Sequence, residues 1–272
     1  MDDVAREPEG RGPADAPDAV AWSGIEGARA FAAVEGATDW LLGYPFVLRA
    51  LAGRIRADEV LLDYGCGPGK VGRHAARTLG VRVLGADTSP QMLALAGTAG
   101  REEGIRAEYH LVEDGRVTDL PDGCADAAMC SHVVASLPTE GALLAVFTEV
   151  RRLLRPGAPF VLLVTDPACA GHAYASVRIG EPGATYAPGE PLTVRLLRTD
   201  GSWQEVRNHA WPVGGHPALL ERAGFSGVVQ HRPTVAEAAA VADPDLVRGR
   251  PWTAERERPP LVITTAFAAD GP

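Results

Sequence analysis

Short, almost wholly apolar runs alternate along the chain with segments whose apolar residues recur every three or four positions. Residues 60–63 form the first such run, and residues 160–165 form the clearest one. Runs of this kind are typical of strands that are covered on both faces, as in a parallel sheet. In residues 139–154 the apolar side chains instead trace one face of a helix, which Pro156-Gly157 would end.

The same patterns predict further elements between these segments. Helices are predicted at residues 69–79 and from Ser89-Pro90 onward, where serine suits the N-cap and proline the first helical position. Strands are predicted at residues 81–87, 107–112 and 125–131. Strand and helix that alternate this regularly indicate an α/β fold with a doubly wound sheet.

The region before this alternation has a different character. Residues 1–20 are rich in Pro, Gly, Asp and Ala without periodicity, so we expect a disordered leader. Residues 21–56 are expected to form an N-terminal helical cap. Two helices would meet there near Gly43-Tyr44-Pro45, because Pro45 lacks the N–H that a continuing helix needs. Residues 21–272 are predicted to form one domain.

The regular alternation of strand and helix patterns stops after residue 166, which predicts an insert at residues 167–215. Residues 167–190 hold many Gly, Pro and Ala residues and indicate a long loop or lid. Strands at residues 192–197 and 203–207 flank Asp200-Gly201, which is a strong hairpin signal. The remaining predicted elements are a helix at residues 217–223 and strands at residues 228–229 and 261–267.

Composition excludes several classes of function. Residues of the AVILMFWYC set make up 46% of the chain, which is enough for a sizeable core, and the formal charge is −9. Nucleic-acid binding rests mainly on cations that neutralise phosphates, so neither a nucleic-acid nor a membrane partner is expected. No stretch approaches the ~20 apolar residues of a membrane span. Four cysteines without metal-ligand spacing indicate reduced thiols in a cytoplasmic protein with no metal site.

The strongest candidate for chemistry is Asp63-Tyr-Gly-Cys-Gly-Pro-Gly69, directly after the first predicted strand. Alternate glycines let the backbone turn tightly and approach a ligand that a Cβ would obstruct. The following helix offers its free N–H groups to that ligand. A nucleotide-type site at the carboxyl edge of a parallel sheet is therefore predicted.

Three kinds of ligand compete for this loop. A Walker phosphate loop needs Ser or Thr after its lysine, and Val71 follows Lys70, so that interpretation fails. Gly67, Gly69 and Gly72 match the dinucleotide pattern GxGxxG, but they begin too far beyond the strand, and the neighbouring carboxylate would repel a pyrophosphate. The third possibility is a cationic ligand without phosphate, such as S-adenosylmethionine (SAM).

Five ordered segments between residues 40 and 165 together resemble class I SAM-dependent methyltransferases of the small-molecule type. They are residues 60–69, Asp87 at the end of the second strand, Val112-Glu-Asp-Gly115, residues 122–132, and Leu153-Leu-Arg-Pro-Gly157 before a buried strand. The resemblance implies a Rossmann-like α/β fold, with a doubly wound, mostly parallel seven-stranded sheet, N-terminal helices and a hairpin or lid insertion. It also implies SAM as the cofactor.

The resemblance further implies a role for each matched residue. Asp63 would face the methionine ammonium of SAM, while the backbone of Gly65, Gly67 and Gly69 lies along the ligand. The alternative is that Asp63 only caps the glycine turn. Asp87 would accept both ribose hydroxyls, because a carboxylate is an acceptor with two oxygens.

The adenine end is assigned in the same way. Asp114 would accept a hydrogen bond from the adenine amino group, with Glu113 or Gly115 as alternatives. Met92 would pack on the ring, or would serve only as a core residue of its helix. The remaining predicted cofactor contacts are Tyr44, Thr88, Ser131 and His132.

A general base is needed only if the acceptor keeps its proton at neutral pH. The candidates are His132, His172, His209 and Tyr186. His132 follows the strand that would border the reacting methyl group, so it is the best placed of them. His209 lies just past the hairpin that would cover the site, and the alternative for it is a structural hydrogen bond.

The sequence thus predicts an enzyme that moves a methyl group from SAM to an O, N or C atom of a small metabolite, as a monomer or homodimer. Aromatic residues in the cap and insert would suit an apolar or aromatic substrate, or would simply pack the lid onto the sheet. One alternative is a SAM-binding cyclase or pericyclase. Another is a binding module without turnover, which the full set of loop glycines and acidic residues argues against.

Overall fold

The computed structural model describes residues 24–269, so the predicted leader at residues 1–20 lies outside the described residues. The helices within this range are α1 Gly24–Ala32, α2 Ala37–Leu42, α3 Tyr44–Leu51, α4 Lys70–Leu79, α5 Pro90–Glu102, α6 Glu140–Leu153, α7 His216–Arg222, α8 Val235–Ala238, α9 Pro244–Arg248 and α10 Thr253–Glu257. The strands are β1 Val60–Tyr64, β2 Arg82–Asp87, β3 Ala107–Leu111, β4 Ala127–Ser131, β5 Pro159–Thr165, β6 Val177–Ile179, β7 Pro191–Leu197, β8 Trp203–His209, β9 Phe225–His231 and β10 Leu261–Ala268.

Seven strands form the main sheet, in the order β3-β2-β1-β4-β5-β10-β9. The first five of these pair in parallel, whereas β10 runs antiparallel to both β5 and β9. The strand order reverses between β1 and β4, and ligands of doubly wound sheets bind in the crevice at such a point. The predicted doubly wound, mostly parallel seven-stranded sheet is confirmed.

Two cores cover the two faces of the sheet. Leu62 and Tyr64 point into a core that is shared with α6 and α7. Leu61 points into the opposite core, which contains α2, α3 and residues of α4. All five residues of β1 are buried, which explains why this strand reads as a continuous apolar run.

The N-terminal cap contains three helices where two were predicted. The expected break falls at Gly43, between α2 and α3. A second break follows α1, where the chain pairs with the insert hairpin. The Glu35 N–H donates to the Leu197 carbonyl at 2.8 Å, and the Thr199 N–H donates to the Ala33 carbonyl at 2.9 Å. A contact with residues so distant in the chain leaves no local signal, so the periodicity alone predicted one helix too few.

The insert forms a small antiparallel sheet in the order β6-β7-β8. The predicted hairpin of β7 and β8 is confirmed, with Gly201 at φ 84° in its turn. The segment that was expected to be a loop, residues 167–190, also contributes the short strand β6, which pairs with β7. Tyr174 is fully buried in the core of this sheet.

Residues 232–260 carried no prediction, and they form three short helices, α8, α9 and α10. Helices of four or five residues are too short to show a periodic pattern. Trp252 anchors this region, since it is 1% exposed and its indole N–H lies 3.1 Å from the carbonyl oxygen of Val247. None of the helices described between residues 24 and 269 has the length and apolar character to cross a membrane.

Candidate active site

Strand pairing brings three polar residues to one face of the sheet at its carboxyl edge. Asp63 is paired with Met129, and Ser131 follows two positions later on the same strand. Ser131 is in turn paired with Leu163, two positions before Thr165. Because residues two apart in a strand share a face, Asp63, Ser131 and Thr165 all point towards the N-terminal cap.

The loop after β1 has the left-handed backbone that its glycines allow. Gly65, Gly67 and Gly69 adopt φ angles of 76°, 51° and 72°. A Cβ at Gly65 would overlap the side chain of Val133. At Gly67, by contrast, a Cβ would meet only the Phe31 ring, at 3.8 Å. Gly65 is therefore required by packing, whereas Gly67 leaves a stretch of backbone open along which a ligand can lie.

Asp87 caps this loop from the neighbouring strand. Its carboxylate accepts hydrogen bonds from the Gly67 N–H at 2.8 Å and from the Ser89 N–H at 2.9 Å. Burial raises the pKa of Asp87, and these N–H groups hold the rise back. Asp87 thus caps the Gly67 N–H, and the turn-capping alternative considered for Asp63 stays a prediction. Each Asp87 oxygen keeps a second lone pair, so the predicted ribose contact is compatible with this geometry.

Asp63 lies deeper than Asp87 and is 3% exposed. Its Oδ2 atom has no hydrogen-bond partner among the described residues. Burial, together with the Asp87 carboxylate, raises the pKa of Asp63 to about 7, and the Gly72 N–H partly offsets this effect. A Cβ at Gly72 would lie only 2.9 Å from Oδ2, so the glycine that completed the apparent dinucleotide pattern serves to admit this carboxyl group. A buried acceptor without a donor fits a cationic ligand such as the ammonium of SAM.

His132 follows β4 in the left-handed region, at φ 62°. Its Nε2 atom lies 3.0 Å from Oδ1 of Asp39, and its Nδ1 atom lies 3.5 Å from the Thr165 hydroxyl. A side chain in this backbone region costs about 1 kcal/mol or more and is often found at functional sites. Asp39 was not among the predicted site residues, although it is the only charged residue of α2, and that isolation is the signal that could have found it.

Tyr44 closes the site from the cap side. Its ring packs edge-on against Trp40 and His132, at centroid distances of 4.8 and 6.4 Å. Burial raises the pKa of Tyr44 well above its usual value, and the carboxylates of Asp39 and Asp63 raise it further. The phenol therefore stays protonated at neutral pH. The Ser131 hydroxyl is also buried here, without a partner among residues 24–269.

Asp114 and Gly115 form the two central residues of a tight turn. Their φ angles are 48° and 77°, and Glu113 and Arg116 exchange two backbone hydrogen bonds of 2.9 Å across it. Asp-Gly is a favoured dipeptide for a turn with two positive φ angles, so the turn by itself explains this sequence. The adenine contact of Asp114 stays a prediction.

The other predicted cofactor contacts lie beside the loop. Thr88 is exposed directly after Asp87. Met92 is 2% exposed, and its backbone N–H donates to the Ser89 hydroxyl at the start of α5. This burial matches the core role considered for Met92, and its contact with adenine stays a prediction.

The alternative bases lie in the insert. The His172 ring stacks on Tyr174, and the Tyr186 hydroxyl accepts the Glu181 N–H at 3.0 Å. His209 ends β8, opposite Pro191 of β7 in the pairing register. A role for His209 in catalysis stays a prediction.

One cleft of about 820 Å³ lies elsewhere, on the outer side of the cap. It runs between α2, α3, α4 and residues 241–246, and Trp40 and His74 are among its walls. Neither the glycine loop nor His132 lines it. The chemistry is therefore assigned to the carboxyl edge of the sheet and not to this cleft.

Comparisons with known proteins agree with this geometry. Residues 61–157 match the family model described as a methyltransferase domain. A SAM-dependent methyltransferase structure from Mesorhizobium loti is 25% identical, with a TM-score of 0.54 over 86% of this chain and 99% of that one. N-demethylindolmycin N-methyltransferase from Streptomyces griseus is 34% identical over 217 residues, which are 78% of this chain and 90% of that protein. The chain belongs to the class I SAM-dependent methyltransferases.

SAM is accordingly the cofactor of this methyltransferase. The residues around the glycine loop fit it, since Oδ2 of Asp63 lacks a donor among the described residues and the Gly67 backbone is open. The structure of the [4+2]-cyclase SpnF also aligns with the methyltransferase, with a TM-score of 0.54 and 18% identity over 84% of this chain and 82% of that one. At this identity the likeness concerns the fold alone.

Proposed function

We propose that this methyltransferase transfers the methyl group of SAM to a nitrogen atom of a small-molecule amine. The relative from Streptomyces griseus is by its name an N-methyltransferase that acts on N-demethylindolmycin, and the alignment spans 90% of it. The observation on this chain that carries the proposal is the pair of carboxylates, Asp39 and Asp63, which act together on the Tyr44 hydroxyl.

These carboxylates favour an amine over an anionic acceptor. A site with two nearby negative groups repels a carboxylate or phosphate and attracts a basic nitrogen. Of the two cations next to the loop, Arg73 forms an ion pair with Glu103 at 3.0 Å, whereas Lys70 Nζ donates to the neutral Val34 carbonyl at 3.2 Å and keeps its charge.

In the reaction the protein would align the acceptor nitrogen with the methyl group of SAM and would remove a proton from that nitrogen. When bound, SAM would supply an electrophilic methyl group on a sulfonium sulfur, and the C–S bond would break as the lone pair of the acceptor nitrogen forms the N–C bond. Asp63 would hold the ammonium end of the cofactor, and Asp87 would hold its ribose. His132 would accept a proton from the bound ammonium form of the acceptor, which gives the nitrogen its lone pair, and would release that proton to water. The N-terminal cap and the insert would exclude water and select the acceptor.

The test uses the full chain with methyl-labelled SAM and N-demethylindolmycin. A matched panel would present one scaffold as an amine, an alcohol, a phenol and a carboxylate, with detection of labelled product and of S-adenosylhomocysteine. We expect labelled product from amines only, and none from the Asp87→Ala variant. Preferred labelling of oxygen would contradict the nitrogen assignment. An isomerised product without S-adenosylhomocysteine would instead favour a cyclase.

The cysteines and the net charge bear on the cellular location and the acceptor class of the enzyme. We infer a cytoplasmic location, because all four cysteines are free, as is usual in a reducing compartment. A small-molecule acceptor agrees with the net charge of −9, which does not suit nucleic acid. A monomer or homodimer stays a prediction, which light scattering would test.

A further inference from the structure

The contact between His132 and Asp39 determines where the histidine carries its proton. Nε2 of His132 lies 3.0 Å from Oδ1 of Asp39, a residue 93 positions away in the chain. A carboxylate can only accept a hydrogen bond, so Nε2 of the neutral imidazole must be the protonated nitrogen. Nδ1 is then left as the hydrogen-bond acceptor of the ring.

This second nitrogen lies at the edge of the sheet where the acceptor would bind. Nδ1 is 3.5 Å from the hydroxyl of Thr165, which ends β5 on the same face as Asp63 and Ser131. The His132 side chain is 31% exposed, so the ring is not sealed away from an incoming molecule. Its backbone is fixed by the hydrogen bond from the His132 N–H to the Leu163 carbonyl, at 2.9 Å.

The other partner, Asp39, directly follows Thr38, which belongs to a buried polar cluster that we call the latch, made of Thr38, Ser176 and Glu255. The Thr38 N–H, at the start of α2, donates to the Ser176 hydroxyl at 2.8 Å, and the Thr38 hydroxyl donates to Glu255 at 3.0 Å. All three residues are at most 2% exposed. Because α2 has no side-chain cap of its own, Ser176 supplies one from the insert, next to Asp39.

We propose that Asp39 is a positioning residue, which fixes His132 as the Nε2–H tautomer so that Nδ1 is the atom that takes the proton from the acceptor nitrogen. The carboxylate also stabilises the imidazolium that forms, until the proton passes to water. The tautomer assignment stands on geometry alone, and only the source of the proton rests on the proposed function.

The first test needs no acceptor. Nitrogen-15 NMR of histidine-labelled full-length protein, with S-adenosylhomocysteine present, reports which ring nitrogen is protonated, and His132→Gln assigns the signals. We expect protonated Nε2 in the natural protein and averaged signals in Asp39→Ala. Glu35→Gln is the matched control, because this cap carboxylate pairs with Arg250 and should leave the His132 signals unchanged. Protonated Nδ1 in the natural protein, or an unmoved signal in Asp39→Ala, would overturn the proposal.

The second test is a double-mutant cycle on methyl transfer to the amine that reacts best in the panel. We expect Asp39→Ala and His132→Gln each to lower kcat about 10–100-fold, with the KM for the amine nearly unchanged. The double variant should be no slower than His132→Gln alone, and Asp39→Glu should recover part of the rate. If the kcat losses of the two single variants multiply in the double variant, Asp39 does not act through His132. If no amine reacts, the proposed function fails, and the NMR result still decides the tautomer.

Discussion

At the scale of the residue, Asp63 links the pH to both stability and cofactor binding. Burial and the Asp87 carboxylate raise its pKa to about 7, from an ordinary value of 3.8. Between these two pH values the folded protein holds a proton that the unfolded chain has released. The free energy of unfolding of the cofactor-free protein should therefore fall as the pH rises from about 4 to about 7.

We expect Asp63→Asn to remove this dependence. At about pH 8 the variant should gain ~1–3 kcal/mol in the free energy of unfolding, because no charge is left in the buried site. Its affinity for SAM should fall about 100-fold, because an amide pairs weakly with an ammonium. Urea unfolding at about pH 5 and pH 8, with calorimetry of SAM binding, measures both effects.

The control for this variant is Asp58→Asn. Asp58 is exposed and pairs with Arg106 at the surface, where solvent screens the pair, so its replacement should leave the free energy of unfolding nearly unchanged at either pH. A loss of stability in Asp63→Asn at the higher pH would contradict the assignment of a strained, buried carboxyl group.

The residues that could be predicted from the sequence belong to local motifs. Asp63 and the loop glycines follow a strand within a few positions, so their place at the sheet edge is readable from the chain. Asp39 owes its role to His132, which lies 93 positions away, and no spacing reveals such a pair. The turn at Asp114 shows a different difficulty for prediction from sequence. The motif there suggested a ligand contact, but the positive φ angles of Asp114 and Gly115 in a tight turn also explain it.

At the scale of the element, the loop after β1 and the turn after β4 fit together through one close contact. Gly65 has φ 76°, and a Cβ there would overlap the Val133 side chain. We expect Gly65→Ala to cost about 3 kcal/mol of unfolding free energy, from the left-handed backbone and the overlap combined. Gly67→Ala should cost about 1 kcal/mol, because it meets only the backbone penalty.

Denaturant unfolding of both variants tests this difference, and Gly65→Ala with Val133→Ala is the informative combination. Removing the Val133 methyl groups relieves the overlap, so the double variant should recover about 1–2 kcal/mol of the loss. Equal costs for Gly65→Ala and Gly67→Ala would show that the contact with Val133 is not what requires a glycine.

Whether an element could be predicted depended on its length and on where its partners lie. The strands of the main sheet and α6 are long enough to carry a pattern in their own residues. The three-residue strand β6 exists because β7 pairs with it, and α8 to α10 are single turns packed on the cap. The break after α1 likewise follows from pairing with the hairpin, so each error in the prediction marks a contact between distant segments.

At the scale of the whole molecule, the latch joins three regions that meet nowhere in the sequence. Thr38 belongs to the cap, Ser176 to the insert and Glu255 to α10. One oxygen of Glu255 accepts both the Thr38 hydroxyl and the Ala175 N–H, the latter at 2.7 Å. A buried carboxylate with two internal donors therefore ties the cap, the insert and α10 to one another, beside the carboxyl edge of the sheet where we propose that methyl transfer takes place.

We expect Glu255→Ala to loosen the contacts among the cap, the insert and α10 without unfolding the main sheet beneath them. Two buried donors would lose their acceptor, at a cost of about 2–4 kcal/mol in the free energy of unfolding. Amide hydrogen exchange should speed up in residues 173–179 and in α2, while β1 and β4 keep their protection. The exposed Glu257→Ala on the same helix is the control and should change neither quantity. The outcome that would contradict this role is slow amide exchange in the insert together with a lower free energy of unfolding. In that case the pairing of the hairpin with residues 33–35 keeps the insert in place, and the latch only stabilises the start of α2.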